Sequence, residues 1–303
     1  MPASESPKVS VVIPVYNQER YIRECLQSVL NQDYKPVEVI VIDDGSTDQT
    51  PKILEEFKGS ITVIRQENRG PAAAINSGVN GATGSYVALL GSDDLLMPES
   101  LARQAEVLSK NSSIGGTYGD YFLIDAQGKE LGVVHAPHPH PEEFAKALIV
   151  ENFIGGSSVM VRKEYFAKAG CFDEGLKICE DWDMWLRLTA HGCFFAHLDA
   201  PLAKCRRHTS NITKNVKLMH RYQERVVLKA LNFFSGKNRF LDVDDFDKIA
   251  LRFAKRLSFQ SAGEAAKSAF KQKPSLARWI RWRILRLSAF FQQALAGFID
   301  FRR

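Results

Sequence analysis

Residues 37–57, VEVIVIDDGSTDQTPKILEEF, contain a β-strand pattern followed directly by an α-helix pattern. The run Val37–Ile42 is mostly apolar and β-branched, which favours a buried strand. The polar turn Asp44–Asp48 then supplies helix N-cap residues, and apolar residues at helical spacing continue to Phe57. The stretch therefore predicts a strand that passes through a short turn into a helix.

The same alternation occurs on both sides of this stretch. Further strand-like runs are Val9–Pro14, Ile61–Ile64 and Tyr86–Leu90. A helical pattern covers residues 22–30, and another begins at about Pro71. Strands that are joined by helices form right-handed crossovers and a mostly parallel, buried sheet. We therefore predict an α/β fold with a Rossmann-like sheet that is flanked by helices.

Polar residues follow three of the predicted strands. Tyr16 and Asn17 follow the first strand, Asp43 and Asp44 end the second, and the pair Asp93-Asp94 follows the fourth. Ligands of such sheets bind beyond the carboxyl ends of the strands, so these groups are expected to converge on one edge. The first loop has no Gly-x-Gly-x-x-Gly pattern, and a dinucleotide held closely against that turn is not supported.

Composition indicates a globular chain with two differently charged parts. The 303 residues are 45% hydrophobic and 25% charged. No apolar run reaches the ~20 residues that span a bilayer, and the five cysteines form no Cys-x-x-Cys pair, so we expect an intracellular protein with reduced thiols. Residues 1–203 carry 17 Lys and Arg against 28 Asp and Glu, whereas residues 204–303 carry 23 against 7. The basic part is expected to bind an anionic surface.

Five blocks of sequence resemble the family 2 glycosyltransferases, which have the GT-A fold. These blocks are VSVVIPVYNQERYIRECLQSVLNQ, VIVIDDGSTDQT, ENRGPAAAINSG, GSYVALLGSDDLLMPESL and EDWDMWLRL. The resemblance covers about residues 8–210 and implies transfer of a sugar from a nucleoside diphosphate sugar, usually with inversion. It implies a catalytic domain at residues 1–210, with a nucleotide-sugar half at about 8–115 and an acceptor half at about 116–210, followed by a basic helical region at 211–303.

The resemblance assigns the donor nucleotide to the loops after the first two strands. It places Pro14, Tyr16 and Asp44 at the base, with Asn17 and Arg69 also on the nucleotide-sugar side. The residue types suit these roles, because Tyr16 can stack on a base and Asp44 can accept a hydrogen bond from a base N–H. The alternative is a simple turn with a helix N-cap, and for Asp43 both interpretations stay open.

Asp93 and Asp94 resemble the Asp-x-Asp element of the family. The resemblance implies that Asp94 holds a divalent cation, Mn²⁺ or Mg²⁺, while Asp93 faces the ribose or shares the ion. Such cations bind carboxylate oxygens together with a diphosphate leaving group. Gly91 departs from the family pattern, in which an acidic residue is common at this position. The alternative interpretation is a solvated acidic turn.

The later blocks resemble the acceptor side of the family site. There the resemblance identifies Asp181 as the general base that takes the proton of the acceptor hydroxyl, with Glu180, Gly155 and Gly156 beside the acceptor. Asp183 lies on another helix face and is expected to be structural. Glu180 and Asp181 also suit a helix start on dipole grounds alone.

Arg207 and His208 resemble the late basic segment that closes over the diphosphate or metal. The alternative is that they begin the basic tail. Within that tail, residues 279–298 have an apolar stripe opposite arginines and flanking tryptophans, which favours peripheral binding to an anionic membrane. The other possibility is a helix packed on the catalytic domain or on a second copy. No nucleic-acid recognition motif accompanies the charge.

His135, His138 and His140 lie between prolines, and we interpret them as part of an exposed loop rather than a zinc site. The sequence thus predicts a metal-dependent, inverting glycosyltransferase at the cytoplasmic face of a membrane, acting on a glycan or lipid-linked acceptor. The alternatives are a nucleotidyltransferase and a non-catalytic scaffold that binds glycan or membrane.

Overall fold

The structure is a computed structural model that describes residues 6–208 and 216–237. The described residues group into two compact units. Residues 6–144, 152–208 and 216–219 belong to the first unit, and residues 145–151 and 220–237 belong to the second. Helix α5 (Pro141–Val150) and helix α8 (Val216–Lys237) each contribute to both units. The amphipathic pattern at 279–298 lies outside the described residues.

The first half of the sheet is parallel, as the strand and helix patterns predict. Its strands are β1 (Val9–Val15), β2 (Val37–Asp43), β3 (Thr62–Arg65) and β4 (Tyr86–Leu89). They lie in the order β3-β2-β1-β4 and are joined through the helices α1 (Ile22–Leu30), α2 (Thr50–Glu55) and α3 (Pro71–Gly81). In the register, Val15 of β1 pairs with Asp43 of β2, so the loops after these two strands start side by side.

The second half of the sheet is mixed. Its elements are β5 (Leu95–Leu96), α4 (Ser100–Lys110), β6 (Ile114–Ile124), β7 (Glu130–Val134), β8 (Val159–Arg162), α6 (Lys163–Ala169), α7 (Glu180–Ala190) and β9 (Phe194–Arg206). The order β4-β8-β6-β9-β5 continues the sheet, and β7 pairs with β6. Strand β8 is antiparallel to both β4 and β6. This arrangement confirms the predicted α/β class and brings the start of β8 next to the end of β4.

The core follows from the alternation of side chains along the strands. Val9, Val11 and Ile13 lie on one face of β1 and join a buried cluster with α1 residues such as Leu26. Helix α3 packs on the opposite face, where a Cβ atom on Gly78 would lie 2.4 Å from Val12 Cγ1. A glycine therefore allows the helix to approach the sheet closely. Among the described residues, no helix has the length and apolar character to cross a bilayer.

Candidate functional site

The loops after β1 and β2 are tied together by Asn17. Its backbone N–H donates to Ser46 Oγ at 3.0 Å, and its side-chain Oδ1 accepts from the Thr47 N–H at 2.8 Å. Asn17 has a φ of 51°, a left-handed conformation that asparagine tolerates better than most residues. The preceding Tyr16 is 46% exposed, which leaves its ring available to a ligand.

The two aspartates at the end of β2 have different partners. Asp43 Oδ1 accepts from the Ser46 N–H at 2.8 Å, which is the turn geometry that the sequence left open as one alternative. Asp44 instead reaches the loop before α3. Its Oδ1 accepts from Gln66 Nε2 at 2.8 Å and from the Arg69 N–H at 3.0 Å, and its Oδ2 accepts from the Gly70 N–H at 2.8 Å. Asp44 therefore positions the segment that carries Arg69.

The carboxylates of Asp93 and Asp94 converge over Gly91. A Cβ atom on Gly91 would lie 2.9 Å from Asp94 Oδ2 and 3.2 Å from Asp93 Oδ1, so the two side chains occupy space that an acidic residue would need here. Burial, together with the negative charge of Asp93, raises the pKa of Asp94 above its ordinary value. A nearby cation would offset this concentration of negative charge.

Arg206 and His208 surround this acidic pair. Arg206 is buried, and its backbone N–H donates to Asp94 Oδ1 at 2.8 Å while its Nε donates to the Asp93 carbonyl at 2.9 Å. The guanidinium also bonds Glu24 at 2.7 Å. His208 Nε2 lies 2.8 Å from Asp93 Oδ2, and its ring stacks on Tyr21 at 5.0 Å between centroids. His208 is therefore in direct contact with Asp93.

The carboxylates of Asp93 and Asp94 beside Gly91 fit a hard divalent cation in chemistry, because such cations prefer oxygen ligands. In the part of the chain that the structure describes, no three or more His, Cys, Asp or Glu side chains are arranged as a metal site. The carboxylates are instead hydrogen-bonded to protein groups. Asp94 Oδ2 accepts from the Ser157 hydroxyl at 2.5 Å, and Ser157 Oγ accepts from the Gly91 N–H at 3.0 Å.

Asp181 lies in the first turn of α7. Its Oδ1 accepts from the Trp182 N–H at 2.7 Å, and its Oδ2 accepts from Asn152 Nδ2 at 3.2 Å. Burial raises the pKa of Asp181, although these hydrogen bonds lower it in part. Burial and the charge of Asp181 likewise raise the pKa of Glu180. Carboxylates with raised pKa values are stronger bases than an ordinary aspartate, which suits proton abstraction. The buried Asp183 instead pairs with Arg187 at 2.8 Å.

The segment Gly155-Gly156-Ser157 connects the two acidic centres. A Cβ atom on Gly156 would lie 3.6 Å from Asp181 Oδ2, and the next residue, Ser157, bonds Asp94. Gly155 packs against the ring of Tyr121. Consecutive residues of one short segment therefore contact the predicted general base and the predicted metal carboxylate.

A cavity of about 570 Å³ lies beside His208. It is lined by Asn17, Gln18, Glu19, Arg20, Tyr21, Asp48, Asp125, Ala126, Gln127, Arg207 and His208. Arg207 and His208 thus line the same cavity as the loop that follows β1. Neither Asp94 nor Asp181 is among the lining residues.

Three residues that hold the predicted site residues were not identified from the sequence. Ser157 directly follows Gly155 and Gly156, and Arg206 directly precedes Arg207 and His208. Both residues therefore adjoin predicted site residues, but no role was predicted from the sequence for either of them. No sequence pattern around Asn152 indicates its role, because the contact with Asp181 joins residues that are 29 positions apart. The loop with His135 and His138 is exposed, as predicted, and His135 Nδ1 lies 2.6 Å from Asp120 Oδ2.

Comparison with protein families and curated sequences gives consistent matches. The family model described as glycosyl transferase family 2 matches residues 10–170. An uncharacterized glycosyltransferase of Rickettsia typhi is 34% identical over 214 residues, which is 69% of this chain. The match spans 66% of the Rickettsia protein, slightly less than two thirds of its length.

Solved structures share the fold at low sequence identity. Residues 1–349 of TarS from S. aureus, in complex with UDP-GlcNAc, give a TM-score of 0.64 at 18% identity, covering 95% of this chain and 92% of the TarS 1–349 chain. The mannosyltransferase PcManGT from Pyrobaculum calidifontis, in complex with GDP-Man and Mn²⁺, gives 0.56 at 19% identity, covering 98% and 88%. These likenesses confirm the predicted GT-A type of fold.

Proposed function

Since the chain belongs to glycosyl transferase family 2, we propose that it transfers a sugar from a nucleoside diphosphate sugar to a hydroxyl of a glycan or lipid-linked acceptor, with inversion. One observation carries the proposal. The segment Gly155-Gly156-Ser157 lies against Asp181 and bonds Asp94, so a base for the attacking hydroxyl and a carboxylate for the leaving group flank the same backbone. An inverting displacement needs these two functions on opposite sides of the anomeric carbon.

The nucleotide is bound by the loops after β1, β2 and β4. The exposed ring of Tyr16 stacks on the base, and Pro14 and Asn17 shape the loop that presents it. Asp44 already accepts three hydrogen bonds, and a carboxylate has about four lone-pair positions, so one acceptor position remains for a base N–H. Asp93 faces the ribose, and Arg69, which pairs with Glu174 at 2.7 Å, lies at the rim of this site.

The residues that would hold a divalent Mn²⁺ or Mg²⁺ are Asp94 and Asp93, with His208 beside them. When bound, the cation supplies positive charge that offsets the charge on the leaving diphosphate. Arg206 holds the acidic loop in place through its backbone N–H and its guanidinium. Arg207 and His208 follow directly and provide positively charged or hydrogen-bonding groups near the diphosphate.

Asp181 acts as the general base for the acceptor hydroxyl. The O–H proton passes to an Asp181 carboxylate oxygen as the acceptor oxygen bonds to the anomeric carbon, and the bond from that carbon to the diphosphate oxygen breaks. Asn152 orients the carboxylate through its 3.2 Å hydrogen bond. The Asn152 Oδ1 is buried without a partner among the described residues, so a rotated amide can accept a hydrogen bond from Asp181 once it is protonated.

The experiment that tests the transferase activity is a thermal-shift screen of nucleoside diphosphate sugars with and without Mn²⁺, followed by analysis of the released product. A glycosyltransferase releases a nucleoside diphosphate, whereas a nucleotidyltransferase releases pyrophosphate, and a scaffold binds without turnover. We expect Asp94→Ala and Asp181→Asn to abolish transfer while the fold is retained. Full activity of either variant would contradict the roles given to these residues.

The basic C-terminal region is proposed to hold the enzyme at the cytoplasmic face of an anionic membrane. Residues 204–303 carry 23 Lys and Arg against 7 Asp and Glu, which supports electrostatic attraction to such a surface. Deletion of residues 275–303 should release the protein from anionic liposomes and leave hydrolysis of the soluble donor intact. Unchanged sedimentation with these liposomes would contradict membrane binding through this region.

A further inference from the structure

Tyr121 lies at an irregularity in the sheet, near the acidic centres formed by Asp93-Asp94 and by Glu180-Asp181. It lies on β6, where the pairing of that strand with β9 shifts register between Asp120 and Tyr121. On its two sides it pairs with Val134 of β7 and Ala203 of β9. The backbone of Tyr121 is therefore fixed in the sheet, while its side chain is half-buried.

Its ring packs on the segment that connects Asp181 with Asp94. A Cβ atom on Gly155 would lie 3.1 Å from both Cδ1 and Cε1 of Tyr121, which is closer than a methyl group is normally accommodated. The next residue, Gly156, lies beside the Asp181 carboxylate. Ser157 follows and donates a hydrogen bond to Asp94. The three functional groups thus surround one short stretch of backbone.

The hydroxyl of Tyr121 differs from those of two other tyrosines. Tyr34 donates to the Pro7 carbonyl at 2.6 Å, and Tyr118 donates to the Pro137 carbonyl at 2.7 Å. The Tyr121 hydroxyl makes no hydrogen bond to another described residue. It is also absent from the set of buried polar atoms without a partner, so the hydroxyl oxygen is accessible to solvent. A phenol that reaches solvent from a half-buried ring is available to a ligand.

Charged side chains of both acidic centres act on the Tyr121 hydroxyl. Burial raises the pKa of Tyr121, the negative charges of Asp94 and Asp181 also raise it, and Arg207 lowers it. The hydroxyl therefore stays protonated at neutral pH and can both donate and accept a hydrogen bond. It is also within electrostatic reach of the donor-side and acceptor-side carboxylates.

We propose that the Tyr121 hydroxyl hydrogen-bonds a hydroxyl group of the sugar that is transferred. This inference rests on the proposed function, in which the diphosphate leaves on the Asp94 side and the acceptor hydroxyl attacks from the Asp181 side. The transferred sugar must then lie between these two carboxylates, in the space that Tyr121 borders. A sugar hydroxyl is complementary to a phenol, because each group can donate and accept.

The test is isothermal titration of the wild type and Tyr121→Phe with two ligand pairs in the presence of Mn²⁺. The pairs are UDP with UDP-GlcNAc and GDP with GDP-Man. Within each pair, one ligand carries the sugar and the other does not. We expect Tyr121→Phe to bind the nucleoside diphosphate as the wild type does, and to bind the nucleotide sugar about three- to tenfold more weakly. The matched control is Tyr118→Phe, which removes a hydroxyl bonded to the protein and should not change the ratio of the two affinities.

The titrations distinguish failure of the Tyr121 role from failure of the proposed function. If the wild type binds a nucleotide sugar and Tyr121→Phe retains the same ratio of affinities, the role of Tyr121 is wrong and the proposed function stands. If another nucleoside diphosphate sugar from the thermal-shift screen binds instead, it is titrated in the same way beside its free nucleoside diphosphate. If the wild type binds no nucleoside diphosphate sugar in that screen, the proposed function is contradicted, and the inference about Tyr121 falls with it. Thermal unfolding of both variants checks that the loss of sugar affinity does not come from a change in folding.

Discussion

Ser157 donates a hydrogen bond of 2.5 Å to Asp94, although the two residues are 63 positions apart in the chain. The same Ser157 Oγ accepts from the Gly91 N–H at 3.0 Å, so the loop before β8 holds both ends of the segment from Gly91 to Asp94. Groups that orient a carboxylate in this way strongly affect how well it binds a metal or a substrate. The contact between the two halves of the sheet is thus a part of the site.

The first prediction concerns this hydrogen bond. Ser157→Ala should lower Mn²⁺-dependent transfer about tenfold, because Asp94 loses the donor that orients it. Initial rates at several Mn²⁺ concentrations measure the effect. Ser158→Ala is the matched control, since the Ser158 hydroxyl bonds the Gly119 and Gly155 carbonyls and not Asp94. Equal Mn²⁺ dependence of Ser157→Ala and the wild type would contradict the orienting role.

The second prediction concerns Gly91. Gly91→Ala introduces a methyl group 2.9 Å from Asp94 Oδ2, and the two carboxylates must move apart to accommodate it. We expect transfer to fall about tenfold, by analogy with other displaced metal-site groups, and the required Mn²⁺ concentration to rise. The control Gly81→Ala places a methyl group at a helical position of α3 with only an ordinary contact, 3.4 Å from Ile64. A Gly91→Ala enzyme with wild-type kinetics would show that the carboxylates tolerate the displacement.

The third prediction concerns the stability that Arg206 contributes. The buried guanidinium bonds Glu24 and the Asp93 carbonyl, and Arg206→Ala leaves these acceptors without their donor. Glu24 is 55% exposed and can be hydrated, so the main cost comes from the Asp93 carbonyl that loses its donor, about 1–3 kcal/mol of unfolding free energy. Urea denaturation measures the change. Arg103→Ala removes an exposed pair with Glu99 and should cost less than about 1 kcal/mol, so similar losses for both variants would contradict the structural importance of Arg206.

The fourth prediction concerns the pH dependence of transfer. Burial raises the pKa of Asp181, and the proposed general base must be deprotonated to act, so the acid limb of the kcat/KM profile should lie above the ordinary pKa of an aspartate. Asn152→Ala removes a hydrogen bond that stabilises the carboxylate, and the limb should move to still higher pH. Profiles of kcat/KM between acid and neutral pH measure both effects. A limb that moves to lower pH in Asn152→Ala would exclude this role of the amide.

The fifth prediction concerns the cost of keeping Asp181 ionised. Because its pKa is raised in the folded state, folding binds protons, and stability decreases as pH rises from the ordinary aspartate pKa through the raised one. Asp181→Asn does not titrate, so it should be more stable than the wild type above this window and similar below it. Urea denaturation at both ends of the window tests this. A constant difference at all pH values would argue against the raised pKa as its cause.

The strands and helices of the parallel half of the sheet could be predicted from the sequence because their signals are local. The apolar runs at Val9 and Val37 alternate with helical patterns, and turn residues such as Asp44 mark the strand ends. A parallel sheet then brings all these ends to the same edge, whichever residues fill the loops. The positions of Tyr16, Asp44 and Asp93 near that edge follow from pattern and topology together.

The groups that hold these residues in place come from distant parts of the chain. Arg206 reaches Asp94 across 112 positions, and the contact depends on β9 running parallel to β6 with three register shifts. Asn152 and Ser157 precede β8, whose antiparallel pairing with β4 has no counterpart in the spacing of apolar residues. Pairing of distant strands is set by the packing of whole layers rather than by local propensity. The sequence thus supplied the acidic residues of the candidate site, and the tertiary structure identified the serine, asparagine and arginine that hydrogen-bond to them.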